Sequence, residues 1–338
     1  MSGLHPVRGS AGELLALLRA WEAADDPEPL VIETSGSTGR PKRVRLSRDA
    51  MRASARATHA RLGGPGQWVL NLPPTYVAGV QLLFRSVLAG TEPVVHEGVT
   101  RWVLEAMTGP RRYLSLVPTQ LVRALADDEE VAALAAFDAV LVGGGPLAPD
   151  NRAAAEARGI HVVQTYGMSE TCGGCVYDGY PLDGVAVKID AAGEVLLSGP
   201  MLFDGYDGEP DRTSAVLDGG WFRTDDLGRL DDDGRLHVLG RTDDVAISGG
   251  LKVPLLAVGQ MLESHPEVAA AAALGVPDDE WGERVVAVVE GSADLTSLRD
   301  VVTPRAWAPK RVVHVEVLPR LANGKPDRAA LRRLALDA

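Results

Sequence analysis

Ala139-Val140-Leu141-Val142-Gly143-Gly144-Gly145-Pro146 is a short apolar run broken by three glycines and a proline. Four apolar residues bounded in this way read as a buried strand. Downstream, a helical stretch near Arg152 to Ala157 leads to a second strand, Ile160 to Gln164. The alternation extends upstream as well. Tyr113 to Val117 reads as a strand with a helix from Thr119, and Val94 marks a strand with a helix near Val103. Gln67 to Leu72 reads as a strand with a largely buried helix, Val77 to Leu88. Earlier still, Glu13 to Ala24 carries Leu14, Leu15, Leu17, Leu18 and Trp21 at helical spacing. A short strand follows at Leu30 to Glu33, and Ser47 is placed to cap a helix running to Leu62. Strands alternating with helices predict a layered α/β large domain around a mostly parallel sheet.

After Gly184 the pattern changes. Short β-like runs are separated by Ala191-Ala192-Gly193, Asp218-Gly219-Gly220 and Asp232-Asp233-Gly234, which predicts a small antiparallel β subdomain. From Asp243 onward, Leu255 to Ser264 reads as a helix, Val268 to Val276 and Arg284 to Glu290 as strands, and Pro326 to Leu336 as a final helix. The expected organisation is a large domain over 1–240 and a smaller α+β domain over 241–338, with the boundary at Arg241 to Asp244.

The composition bounds the function. The chain has 338 residues, 46% of them apolar, so a substantial core can be buried. A net charge of −12 argues against a nonspecific nucleic-acid binder, although a few local donors can still hold an anion. No apolar run has the length of a membrane span, and Met1 to Gly12 lacks the apolar core of a signal peptide, so a cytoplasmic protein is expected. Cys172 and Cys175 form a Cys-Gly-Gly-Cys pair that is open to a redox or metal reading. With no second pair and no His nearby to complete a metal site, the favoured reading is two small apolar side chains beside a loop.

Thr34-Ser35-Gly36-Ser37-Thr38-Gly39-Arg40-Pro41-Lys42 carries the strongest local chemical signal. Glycines let backbone approach an anion closely, and hydroxyls with backbone N–H groups can surround phosphate oxygens. Lys42 adds positive charge. The spacing is not that of the usual P-loop, and a flexible Gly/Ser loop is the plainer alternative. Four further stretches follow in order. Gln164-Thr165-Tyr166-Gly167-Met168-Ser169-Glu170-Thr171 offers an aromatic face, an amide, hydroxyls and a carboxylate. Trp221 to Asp226, Gly240 to Asp244 and Asn323-Gly324-Lys325-Pro326-Asp327-Arg328 come after it. Taken singly, Tyr166 is also compatible with a core aromatic, and Asp226 and Arg241 with a surface ion pair.

The five stretches, in this order from Val31 to Arg328, resemble the adenylate-forming superfamily of acyl-CoA synthetases, peptide-synthetase adenylation domains and luciferases. The resemblance implies a set of roles. Thr34, Ser35, Gly36, Ser37, Thr38, Gly39 and Lys42 would hold the β- and γ-phosphates of ATP. Gly143, Gly144 and Gly145 would lie against the adenine, with Tyr166 and Gly167 beside it and Gln164 at its amino edge. Ser169 would meet the α-phosphate, and Glu170 would ligate Mg2+. Asp226 and Arg241 would hold the ribose, and Lys325 would reach the oxygens on which charge builds. Asp243 would be a hinge for a mobile C-terminal domain. Gly249, Gly250 and Lys252 would approach the pantetheine arm of coenzyme A.

Two departures stand out. The family's usual Thr-Gly-Asp is Thr224-Asp225-Asp226 here, which sets an extra negative charge beside the ribose carboxylate. The phosphate loop begins at Thr34, so the family's N-terminal subdomain is expected to be largely absent. The surface it would cover could then be met by a homodimer partner.

Within the superfamily, Ser115 to Leu121, Leu141 to Leu147 and Ser248 to Pro254 resemble the compact actinobacterial o-succinylbenzoate–CoA ligases of menaquinone biosynthesis. That implies a small aromatic carboxylate substrate, with Tyr76, Ser115, Thr119, Gly144 and Met168 around it. Tyr76 stands where related ligases commonly carry a His. Such a substrate has a second carboxylate that would be costly to bury alone. Arg85 interrupts the apolar run Val80 to Leu88 and is the candidate partner, its alternative being a solvent-facing or ion-paired helix residue. Loading of a carrier protein, another acyl substrate and a non-catalytic adenylate-binding protein remain rival readings.

Overall fold

A computed structural model describes residues 5–34, 41–96, 101–320 and 326–337. The chain divides into two compact units. The first comprises residues 1–188, 196–223 and 232–236, and the second residues 189–195, 224–231 and 237–338.

The first unit opens with α1 (Ala11–Ala23), whose Ser10 and Glu13 form a capping box. Next come β1 (Leu30–Thr34), β2 (Lys42–Leu46), α2 (Arg48–Arg61), β3 (Gln67–Leu70), α3 (Val77–Ala89) and β4 (Val94–Val95). The layered part continues through α4 (Arg101–Ala106), β5 (Arg112–Leu116), α5 (Pro118–Ala124), α6 (Asp128–Leu134), β6 (Ala139–Val142), α7 (Pro149–Ala157), β7 (Val162–Met168), β8 (Gly173–Tyr177) and β9 (Tyr180–Pro181). The central sheet has the order β4-β3-β5-β6-β7-β8-β9. Its first five strands run parallel; β8 then pairs antiparallel with β7, and β9 antiparallel with β8.

Alternation along those strands sorts two cores. Trp68, Leu70, Tyr113, Ala139, Leu141 and Val163 pack with α1, α2 and α3. Val69, Leu114, Leu116, Val140, Val142 and Val162 pack with the helices α4 to α7. The layered, mostly parallel reading holds.

Several details differ from the expected elements. Lys42-Arg43-Val44-Arg45-Leu46 is a strand: Val44 and Leu46 are fully buried, and Arg43 and Arg45, only partly exposed, alternate with them. Arg43 and Arg45 are on the opposite face, while Lys42 opens the strand on the side of Val44. The strand pairs antiparallel with β1, Thr34 opposite Lys42. The helix expected from Thr119 is two helices, because Asp127 caps a new start with its side chain accepting from Glu129 and Glu130 N–H. The strand expected to end at Gln164 runs on to Met168, held by its antiparallel neighbour β8.

Strands with one helix among them follow: β10 (Ala186–Ile189), β11 (Glu194–Ser198), β12 (Gly205–Tyr206), the helix α8 (Pro210–Val216), β13 (Leu217–Asp218), β14 (Trp221–Leu230) and β15 (Leu236–Arg241). This is the predicted β-rich stretch, though β12 leaves it to pair with β2.

The second unit is built on β16 (Val245–Ser248), β17 (Leu251–Pro254), α9 (Leu255–Leu262), β18 (Val268–Asp278), β19 (Gly282–Gly291), α10 (Leu295–Asp300), β20 (Arg311–Val315) and α11 (Arg328–Asp337). Its strands run in the order β17-β16-β19-β18, with β20 parallel to β19. α9 and α10 cover one face and α11 the other. α11 starts at Arg328 rather than Pro326 because Asp327 is its cap, accepting from Ala329 and Ala330 N–H. No helix among the described residues is long and apolar enough to cross a membrane.

Candidate active site

In an open parallel sheet, ligands gather at the carboxyl ends of the strands. There the first unit places Ser115 on β5, Gly143 after β6, and Thr165 to Met168 on β7. Gly143 is required by space: a Cβ there would lie 2.3 Å from Thr165 Oγ1. Gly144 has φ +77°, a conformation natural to glycine. Gly145 completes the turn. Thr119 lies in the first turn of α5, and Tyr76 is the N-cap of α3, half exposed with its ring open to solvent. The Val77-Ala78-Gly79 start of that helix packs so closely that a Cβ at Gly79 would lie 2.3 Å from Pro73 O. Gly167 serves the β7–β8 hairpin, where a Cβ would meet Gly173 O at 2.1 Å. Gln164 is fixed through its backbone, whose N–H donates to Asp178 Oδ1 at 3.0 Å, and Arg152 holds that carboxylate at 2.7 Å.

Met168 leads into a single 3-10 turn, Ser169–Thr171, with all three residues buried. Thr171 Oγ1 ties the turn down by accepting from Met168 N–H at 2.9 Å and donating to Gly173 O at 2.7 Å. Glu170 Oε1 accepts from Tyr206 Oη at 2.9 Å and lies 3.8 Å from Lys42 Nζ. Tyr206 is itself flanked by Lys42 and by Arg212, 5.7 and 4.8 Å from its ring centre. Among the described residues no three His, Cys, Asp or Glu side chains are grouped so that they could hold a metal ion by themselves. The arrangement suits Mg2+, which is commonly held by one or two carboxylates together with substrate phosphates and water.

In the second unit, Asp226 is 7% exposed. Its N–H donates to Thr224 Oγ1 at 3.1 Å, and that hydroxyl donates to Val195 O at 2.8 Å. Arg241 forks, with Nη1 3.4 Å from Asp226 Oδ1, Nη2 3.1 Å from Asp225 Oδ2, and Nε 3.6 Å from Asp243 Oδ1. Burial opposes the guanidinium charge, but Asp226, Asp225 and Asp243 outweigh it and raise its pKa. The extra charge of Asp225 is therefore answered by Arg241.

Gly249 and Gly250, at φ +58° and +79°, form the tip of the β16–β17 hairpin, and Lys252 is exposed opposite Ile247. Trp281 lies beneath that tip, its ring carbon 3.1 Å from where a Gly249 Cβ would stand. Ser35, Gly36, Ser37, Thr38, Gly39 and Lys325 lie outside the described residues, while Thr34 and Lys42 flank the first five as β-partners.

The sequence pattern of the AMP-binding enzyme family matches residues 19–207, and that of the AMP-binding enzyme C-terminal domain matches residues 257–325. The chain belongs to the AMP-binding enzyme family. It is similar to a probable 2-succinylbenzoate–CoA ligase of Mycobacterium tuberculosis, 47% identical over 343 residues, which cover 96% of this chain and 89% of the relative. Among solved structures it resembles the o-succinylbenzoate CoA synthetase of Bacillus subtilis in complex with the acyl-adenylate intermediate. That likeness has a TM-score of 0.74 at 29% identity and covers 90% of this chain and 68% of the other. The same Bacillus enzyme in complex with ATP and magnesium ion gives 0.72 at 28% identity, covering 90% of this chain and 69% of that one. An amide bond synthetase of Marinactinospora thermotolerans gives 0.77 at 32% identity, with coverage of 90% and 68%.

In this AMP-binding enzyme Arg85 is not a surface residue. It is 5% exposed, with its guanidinium carbon 5.1 Å from the centre of the Trp68 ring. Ser115 stands on the same sheet face as Trp68 and Tyr113, since Trp68 and Tyr113 are register partners and Ser115 is two residues on. Arg85 Nε, Trp68 Nε1 and His59 Nε2 are buried and have no hydrogen-bond partner among the described residues. Among the described residues no carboxylate pairs with Arg85, and a buried cation in that state is costly unless an anion meets it. Burial, and secondarily the Arg85 cation, hold the His59 imidazole down at about 4.

Below the ordinary His value of 6.5, the unfolded chain thus binds a proton that the folded one refuses. The stability this His contributes is complete above that value and is lost as pH falls toward 4. His59→Gln should flatten the acid limb of a urea-unfolding series by on the order of 2 kcal/mol. A limb as steep as the parent's would contradict it.

Sequence reasoning did not single out Tyr206, Trp68 or His59. Cys172 and Cys175 are buried free thiols, raised chiefly by burial, Cys175 to about 12. The backbone carbonyl of Cys172 accepts from Ser54 Oγ and Gln81 Nε2, each at 3.0 Å, which ties α2 and α3 to the chain just before β8.

Proposed function

We propose that the chain is an ATP-dependent carboxylate–CoA ligase, converting o-succinylbenzoate to o-succinylbenzoyl-CoA in menaquinone biosynthesis. The observation that supports the substrate is Arg85: a buried guanidinium on α3 with an unpartnered Nε, stacked over Trp68 of the sheet face that bears Ser115. o-Succinylbenzoate needs a cation at depth, because its ring carboxylate stays ionised while the succinyl carboxylate reacts. The 47% identity to a probable ligase of that name supports the reading.

In the first half-reaction the succinyl carboxylate oxygen attacks the α-phosphorus of ATP, the bond to pyrophosphate breaks, and an acyl-adenylate forms. The residues Thr34 to Lys42 orient the β- and γ-phosphates, Tyr166 and Gly143 to Gly145 hold the adenine, and Asp226 with Arg241 holds the ribose. Ser169 lies at the α-phosphate. Glu170, oriented by Tyr206, would hold Mg2+, which supplies charge neutralisation on the phosphates. Lys325 stabilises the charge that builds as pyrophosphate leaves.

In the second half-reaction the thiol of coenzyme A, losing its proton to solvent, attacks the acyl carbon, and AMP departs with the bonding pair. Gly249, Gly250 and Lys252 face the pantetheine arm. The C-terminal domain reorients about Asp243 between the two steps. No side-chain nucleophile is needed, since orientation and charge stabilisation account for the rate.

The likeness to an amide bond synthetase favours one second reading, in which an amine intercepts the same acyl-adenylate. Supplying coenzyme A, a phosphopantetheinylated carrier protein or an amine to the preformed acyl-adenylate separates the acceptors. The ligase reading requires coenzyme A to be used at least 10²-fold faster than either rival, by the roughly 10²-fold scale on which a fitted site discriminates.

Asp226→Ala should weaken ATP and AMP binding by roughly 10- to 100-fold, the loss of a charged hydrogen-bonding partner, while leaving the melting temperature close to the parent's. Unchanged affinity by calorimetry would remove Asp226 from the nucleotide site.

A further inference from the structure

Among the motif residues with no part in the reaction above are Asp244, which ends Gly240 to Asp244, and Arg328, which ends Asn323 to Arg328. Within the second unit they form an ion pair, Arg328 Nη2 donating to Asp244 Oδ2. They are 84 residues apart in the chain, so the contact is made by the fold and not by local sequence.

Both partners are anchored. Asp244 N–H donates to Arg241 O at 3.1 Å, and its carbonyl accepts from Leu255 N–H, at the start of α9, at 3.2 Å. Its carboxylate is largely enclosed, its side chain 19% exposed. Burial raises the carboxyl pKa, and Arg328 counters that. Arg328 opens α11, just after the Asp327 cap. Asp327 N–H donates in turn to Pro319 O at 2.9 Å, and Pro326 bridges to Arg320. The chain on either side of residues 321–325 is thus drawn together, and its later flank is tied through Arg328 to the residue beside Asp243. The same short turn carries Arg241, whose guanidinium reaches Asp226. Polar contacts therefore run from the Asp226 carboxylate through Arg241 to Asp244 and Arg328, all within one unit.

We infer that the Asp244–Arg328 ion pair is a positioning device that fixes the base of the Lys325-bearing segment to the chain beside Asp243. It rests on the reading in which Lys325 serves adenylation. A reactive group displaced by about 1 Å can lose roughly 10²-fold in rate, so a fixed base matters to that step. Conversion of a supplied acyl-adenylate and coenzyme A to thioester makes no use of Lys325 and has no such demand.

The test is a set of variants in the full chain: Arg328→Gln, Asp244→Asn, Arg328→Lys, Lys325→Ala, and Lys325→Ala combined with Arg328→Gln. Pyrophosphate release and thioester formation from supplied acyl-adenylate are measured separately, with thermal melting as the folding control. Arg328→Gln and Asp244→Asn should each lower adenylation roughly 10- to 100-fold and thioester formation by less than about threefold. Arg328→Lys, which keeps the charge, should recover much of the loss. In the Lys325→Ala background, Arg328→Gln should cost nothing further, because it acts through that lysine. Equal loss in both half-reactions, or an additive loss in the double variant, would overturn the inference in favour of a merely structural pair. Full adenylation by Lys325→Ala alone would instead overturn the role of Lys325, and with it the inference, a result separable from the first.

Discussion

Lys325→Ala should lose roughly 10²–10³-fold in acyl-adenylate formation, the usual cost of removing one positioned donor from a site of developing charge. It should keep most of its capacity to turn supplied acyl-adenylate and coenzyme A into thioester. The asymmetry follows from the chemistry. Negative charge builds on the phosphate oxygens only while pyrophosphate leaves, and a lysine is a compact cation suited to meet it. Once the anhydride exists the leaving group is already activated. Pyrophosphate release measures the first step and thioester appearance the second. Parallel loss in a folded variant would contradict an arrangement in which the C-terminal domain serves the two steps in turn.

Arg85→Ala should lower kcat/KM for o-succinylbenzoate by roughly 10²-fold or more, because truncation leaves the ring carboxylate desolvated without a partner. The KM for ATP should change far less. A matched acid lacking the ring carboxylate, 4-oxo-4-phenylbutanoate, should be used by the variant about as well as by the parent, or better. That comparison separates recognition of an anion from support of the core, since damage to packing around Trp68 would lower activity on both acids alike. Unchanged activity on o-succinylbenzoate would return Arg85 to the status of a buried cation stacked on an indole.

Much of this architecture is legible in the sequence where one residue's neighbours along the chain decide its state. The run Ala139 to Val142 can only be a buried strand, and Gly143 is where the chain must turn beside Thr165. Ser47 marks the start of α2 because a hydroxyl there accepts an otherwise unpartnered helix N–H. What escaped depends on contacts between distant segments. Lys42 to Leu46 alternates as a half-buried strand should, but its charge and its place after a glycine loop disguise it; pairing with β1 and β12 defines it. Tyr206 has no local mark at all: it matters because Glu170, 36 residues earlier, folds against its hydroxyl.

Arg85 was readable as an oddity, a charge in an apolar helix, yet its companions Trp68 and His59 come from β3 and α2. Helical periodicity says that a residue points inward without saying what it meets there. The Asp225 substitution is similar. In sequence it is an added negative charge, and only the fold reveals the Arg241 fork that meets it.

The central claim is that a carboxylate is adenylated and then passed to a thiol. The most direct measurement is product analysis with ATP, Mg2+ and o-succinylbenzoate, first without coenzyme A and then with it. Without coenzyme A, pyrophosphate should appear in a burst equal to the enzyme present, with o-succinylbenzoyl-adenylate bound to the protein. Addition of coenzyme A should start steady turnover, with AMP and o-succinylbenzoyl-CoA formed in equal amounts. Formation of ADP and phosphate in place of AMP and pyrophosphate, or the absence of any acyl-adenylate, would contradict the account.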